Sequence, residues 1–173
     1  MFGRGGSRSH WAALGAAIAV TLGTGGVLTS SASAPAAPSS FVPITPCRLL
    51  DTRPAPDNVG PRSAPLGAHT TFTAMAWGVN GNCVIPAGAT ALSMNLAAVN
   101  PTASSYMTVF PADSSLPLAA NLNYIAGQPP TPNSVTAALS TDGRISFYNL
   151  TGTVDIAVDV VGYFVADRDE ELY

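Results

Sequence analysis

The sequence predicts an all-β fold, a two-sheet antiparallel sandwich of Greek-key or jelly-roll type with about eight strands. Three observations predict it. Short runs past residue 40 alternate apolar and polar side chains with period two, which is the pattern of a strand with one buried face. Clusters of Gly, Pro, Asn and Asp separate these runs at turn-like intervals. No segment beyond the N-terminal stretch holds a helical period, so apolar faces must be buried sheet against sheet, with an up-and-down barrel as the next choice.

Strands are expected at about 44–52, 69–77, 90–99, 105–110, 120–125, 133–139, 144–149 and 153–164. In "TALSMNLAAV", Leu92, Met94, Leu96 and Ala98 share one face, with Ser93, Asn95 and Ala97 opposite. In "TVDIAVDVVGYF", Val154, Ile156, Val158 and Val160 point inward, and Asp155 and Asp159 lie on the other face. "TDGR" at 141–144 reads as a hairpin turn, because Asp-Gly accepts the positive φ that such turns demand. "PAPDNVGPRSAPLG" at 54–67 reads as a loop.

The first forty residues differ in kind. Arg4 and Arg8 precede an apolar run from Trp11 to about Leu28, then small residues, which is the layout of a secretory signal peptide over 1–36. Cleavage after Ala32 or after Ala36 satisfies the small-x-small rule. The rival is a retained anchor, but the run is rich in Gly and Ala and so only weakly hydrophobic. A short Pro/Ala/Ser tether is expected at 37–43, the sandwich at 44–165 and an acidic tail, "ADRDEELY", at 166–173.

Export makes the cysteines legible. Only Cys47 and Cys83 exist, so an oxidising compartment leaves one pairing. A redox pair would show Cys-x-x-Cys, and a zinc site needs about four ligands. Charged residues are only 10% of the chain, all seven basic residues are arginines, and ten are acidic. Such a surface is unsuited to holding nucleic acid or an anionic membrane by charge.

The segments "FVPITPCRLLDTR", "CVIPAGATALSMNLAAVNPTASSYMTVFPA" and "NLNYIAGQPPTPNSVTAALSTDGRISFYNLTGTVDIAVDVVGYF" resemble, in order, a domain that recurs in exported proteins of high-GC Gram-positive and related bacteria. The resemblance spans about residues 41 to 165. It implies an extracellular β-rich module, alone, in tandem or attached to other domains, and it brings no activity with it.

"CRLLDTR" at 47–53 places two arginines around one aspartate inside a strand. On a regular strand Leu49, Asp51 and Arg53 share one face, with Arg48, Leu50 and Thr52 on the other. A half-buried arginine must find a carboxylate. The expectation is that the first strand pairs beside the last, with Arg48 or Arg53 bound to Asp155 or Asp159, so that the ion pairs fix register and do not grip a ligand.

Catalysis finds little support. The two glutamates sit in the tail, and Asp155 and Asp159 are roughly 13 Å apart along one strand, too far for a glycosidase pair. His69 stands alone in the exported part, without a Gly-x-Ser-x-Gly elbow. No metal or cofactor is expected; calcium on loop oxygens of Asp57, Asn58 or Asp113 lacks a spaced motif. "NLT" at 149–151 fits an N-glycosylation acceptor but carries no meaning in a bacterial chain.

Binding remains. Trp77 in "AWGVNGN" precedes a Gly/Asn loop with little to bury it, and Asn80, Asn82, Asn121 and Asn123 could supply amides to a sugar. The sequence therefore predicts a secreted, extracellular or cell-wall-associated, non-catalytic adaptor or structural module that binds a protein partner or its own copies. The alternative is a carbohydrate- or wall-binding module.

Overall fold

The computed structural model describes residues 38–167; the expected signal peptide and most of the acidic tail lie outside them. Ten strands form in chain order: β1 (Ser39–Asp51), β2 (Thr70–Met75), β3 (Gly78–Asn80), β4 (Cys83–Ile85), β5 (Ala89–Val99), β6 (Ser105–Pro111), β7 (Leu122–Tyr124), β8 (Thr131–Ala138), β9 (Arg144–Asn149) and β10 (Asp155–Ala166). One sheet has the order β1-β10-β5-β8, the other β2-β9-β6-β7, and β3-β4 is a separate hairpin. Every pairing is antiparallel. With the hairpin set aside, successive strands alternate between the sheets except at the β6-β7 turn, and each sheet position holds a strand whose chain neighbour occupies the same position in the other. That is the jelly-roll order, in which a long antiparallel ribbon is folded over on itself.

The expected alternation holds where a strand is long and regular. Leu92, Met94, Leu96 and Ala98 of β5 are buried and meet Val154, Ile156, Val158 and Val160 from the β10 segment in one core. The second sheet contributes Met107, Val109, Ile145 and Phe147. Fully burying one such aliphatic or aromatic side chain is worth about 1.5–3 kcal/mol, so these two rows supply much of the driving force.

Three features depart from the sequence expectation. First, β1 begins at Ser39, inside the stretch expected to be a tether: Ser39–Pro43 pair with Gly162–Ala166 of β10. The Phe41 and Phe164 rings meet at 5.2 Å between centroids, and Phe41 lies so close over Gly162 that a Cβ there would come within 2.3 Å of it. Pro43 and Pro46 are tolerated because β1 is an edge strand with one free hydrogen-bonding side. Second, β10 runs to Ala166, where the acidic tail was expected to start. Third, "GVNGNCVI" is a hairpin and not an open loop. Asn80 pairs with Cys83 around Gly81-Asn82, and Gly81 has φ +55°, the left-handed region that glycine enters freely.

That hairpin is fastened to β1. A Cβ on Gly81 would lie 2.3 Å from the Leu49 carbonyl oxygen, and the Asn82 amide donates to the Arg48 carbonyl at 2.8 Å. The Cys47–Cys83 disulfide forms as expected, with Cα atoms 5.2 Å apart and a sequence separation of 36.

A buried amide ties the far end together. Asn149, fully buried at the end of β9, donates to the carbonyls of Leu66 (3.3 Å), Gly67 (3.0 Å) and Gly152 (2.9 Å). Its Oδ1 accepts from the Ser105 hydroxyl at 3.2 Å and from the Tyr124 hydroxyl. Burial pushes the Tyr124 phenol above its ordinary value, with the neighbouring Ser105 hydroxyl opposing the shift. The "NLT" asparagine is thus a structural hub with no side-chain atom left for modification.

Closing a loop of this length by a disulfide is expected to contribute about 4 kcal/mol on the chain-entropy model. The Cys47→Ala/Cys83→Ala variant should show that loss in equilibrium denaturation, and a variant as stable as the parent would show that the hairpin holds to β1 without the bridge.

Candidate functional site

Two groups of residues concern function: the arginine–aspartate cluster on β1 and β10, and the surroundings of Trp77.

The cluster exists because β1 is irregular. Arg48 stands opposite Asp159 and Leu50 opposite Val158, so Leu49 is an extra residue, a bulge. It corrects the face assignment expected for a regular strand: Leu49 and Leu50 are both buried, and Arg48 and Asp51 come to the same outer face. Arg48 then binds Asp159 through two parallel bonds, Nε to Oδ1 at 2.8 Å and Nη2 to Oδ2 at 2.9 Å. This forked geometry is the strong form of the contact. Its Nη1 also reaches Asp51 Oδ2 at 2.7 Å.

Arg53 does not reach β10. It donates to Asp51 through its backbone N (3.1 Å), Nε (3.0 Å) and Nη2 (2.7 Å), and forms an ion pair with Asp57 at 3.1 Å. Nor does Asp155 take an arginine: it accepts the Thr52 hydroxyl at 3.0 Å, while that hydroxyl accepts the Ile156 amide at 2.9 Å. Asp51 is 0% exposed and accepts four hydrogen bonds. Its own backbone bridges Val59, and Asn58 donates to its carbonyl, which pins the Pro-rich loop over it. Burial alone would push the Asp51 carboxyl up; bonds from Arg53 and the charges of Arg53 and Arg48 outweigh it and hold the group below its usual range. The bond to Asp159 likewise raises Arg48 above the ordinary arginine value, against its desolvation. Every charge is answered within the protein, so the cluster fastens strands.

Trp77 is half-buried and packs against the core, where the sequence led us to expect an open ring. Its indole Nε1 donates to the Ala89 carbonyl at 2.9 Å. Gly143, at φ +79° in the Asp-Gly turn, lies against the ring so tightly that a Cβ would come within 2.1 Å of it. No local pattern near residue 77 could announce this, since the covering glycine belongs to a distant hairpin. Beside the ring is a pocket of about 330 Å³, walled by Trp77, the Gly88–Thr90 segment and the Leu139–Thr141 segment. Sequence reading missed all of its walls except Trp77.

The asparagines do not gather there. Asn80 turns back to donate to the Trp77 carbonyl at 2.7 Å, and Asn82 is exposed at the hairpin tip. Asn121 accepts the Val109 amide at 2.7 Å, and Asn123 is exposed on β7, at the opposite edge of the second sheet from β2. The tyrosines form no platform either: Tyr124 and Tyr148 are buried, Tyr106 and Tyr163 half-buried. His69 is exposed, its Nδ1 3.3 Å from the Tyr148 hydroxyl.

The chain matches no family model and no curated protein.

Because the folded-state value of Asp51 is depressed, its contribution is complete above the ordinary carboxylate pKa of about 4 and is lost as pH falls toward the lower folded value. Asp51→Asn should cost about 2 kcal/mol at neutral pH and flatten the acid side of a melting-temperature profile. An unchanged acid slope would show that Asp51 does not govern it.

Proposed function

We propose that the protein is a secreted, extracellular, non-catalytic module that docks a protein partner or its own copies through the outer face of the β1-β10-β5-β8 sheet. The observation that carries this reading is the register across that face. Three rows run over it, Phe41–Phe164–Ala91–Ala138, Pro43–Gly162–Ser93–Thr136 and Arg48–Asp159–Asn95–Ser134; a fourth, Asp51–Ala157–Ala97–Pro132, is open only at Ala97 and Pro132, since Asp51 and Ala157 are buried. From β10 to β8 nearly every side chain is small and uncharged, and the charges of Arg48 and Asp159 answer each other, with Asp51 joining Arg48 from the next row. Such a face is poor in unpaired charge and so cheap to desolvate, as the cores of protein interfaces are. Beside β1, the hairpin turns Val79 and Val84 outward, 77% and 69% exposed, as apolar anchors of the kind partners bury. The disulfide supports an oxidising location, where such bridges persist.

Ser93 is near the centre of the face, so Ser93→Arg inserts a long charged side chain there at a folding cost expected within about 0.5 kcal/mol. Sedimentation velocity of the oxidised protein, alone and with the producer's secreted proteins, should show association that the variant loses at unchanged melting temperature. Association unaffected by the variant would remove this face from the account.

A further inference from the structure

We infer that the pocket beside Trp77 is a binding site for a neutral sugar ring, the free monosaccharide or the terminal residue of a glycan. No residue is common to this site and the docking face, so neither depends on the other.

The pocket, at about 330 Å³, is at the small end of ligand sites and suits one ring. Its apolar wall is preformed. Trp77 is clamped by its bond to Ala89, by Gly143 against the ring and by Asn80 on its carbonyl, so little is lost in ordering it on binding. Leu139 and Ala89 extend this wall. An aromatic face of this kind takes the C–H side of a pyranose.

Hydroxyl-reading groups stand beside it. Asp113 Oδ2 accepts the Thr141 amide at 2.8 Å, which places its carboxylate next to the lining; among the described residues nothing occupies its second oxygen or the Thr141 hydroxyl. Thr90 adds a further hydroxyl, weakly held by the Phe164 carbonyl at 3.3 Å. By contrast, Ser140 is engaged: its hydroxyl donates to Asp142 at 2.5 Å and accepts the Arg144 amide at 2.8 Å. Arg144, the cation on this turn, is tied to Asp142. A free carboxylate oxygen, with no unpaired cation among the described residues that line or border this pocket, favours a polyhydroxyl ligand and disfavours an anion.

The test is an NMR titration of the oxidised protein with glucose, galactose, mannose and N-acetylglucosamine, with glucuronate as the anionic control, each sugar also offered as the end residue of a soluble oligosaccharide. The expected result is saturable movement of the Trp77 indole N–H and the Thr141 amide by at least one neutral sugar. That movement should be lost in Trp77→Phe and in the surface variant Asp113→Asn, which leaves an acceptor for the Thr141 amide. Silence with all four sugars overturns the proposal. So does equal response to glucuronate, or binding that both variants retain.

Discussion

An arginine at the seam between the first and last strands must have a carboxylate, and much of this molecule follows from how it gets one. Arg48 grips Asp159 across β1 and β10 with two parallel bonds. For that fork to close while Asp51 joins from the same side, the strand must take in one extra residue, Leu49. The bulge drives both Leu49 and Leu50 into the core and leaves the charges outside it. Register here is not a detail: a slip by one residue would carry the arginine inward and a leucine out.

From this seam the other attachments extend. Asp51 collects Arg53 and holds the Pro-rich loop through Val59 and Asn58. The hairpin tip rests on the carbonyls of Arg48 and Leu49, with the disulfide alongside. With β10 fixed between β1 and β5, the alternation of β5 and β8 determines which side chains face out, and these are alanines, serines, one threonine, one asparagine and one proline. The neutral face is therefore a consequence of the same register that satisfies the arginine.

The sequence made some of this readable. β5 and β10 are long, and their inward residues repeat every second position, so both core rows were legible before any coordinates, as was an arginine–aspartate pairing between the first and last strands, though not which of Arg48, Arg53, Asp155 and Asp159 would make it. The hairpin was not, because three-residue strands carry no period and Gly81-Asn82 reads equally well as a loop. Ser39–Pro43 looked like a tether because its two neighbouring prolines hide a strand that only an edge can accommodate. The bulge had no periodic signature at all. At the candidate site, Trp77 was singled out, but as an open ring, and its surroundings were not foreseen. What covers it comes from Gly143 and Leu139, more than sixty residues on, and what the asparagines do is set by turns and edges in other places. Asn149 was dismissed as an idle sequon, although it ends a strand whose side chains are buried and is itself a hydrogen-bond hub.

The most direct test is a double-mutant cycle on Arg48→Gln and Asp159→Asn, read by equilibrium denaturation, with amide exchange along β1 as a second signal. The account predicts a coupling of about 1 kcal/mol or more and faster exchange through Cys47–Asp51 in either single variant. Additive effects within about 0.3–0.5 kcal/mol, with β1 protection unchanged, would contradict it, and would mean that core packing alone holds the first strand in register.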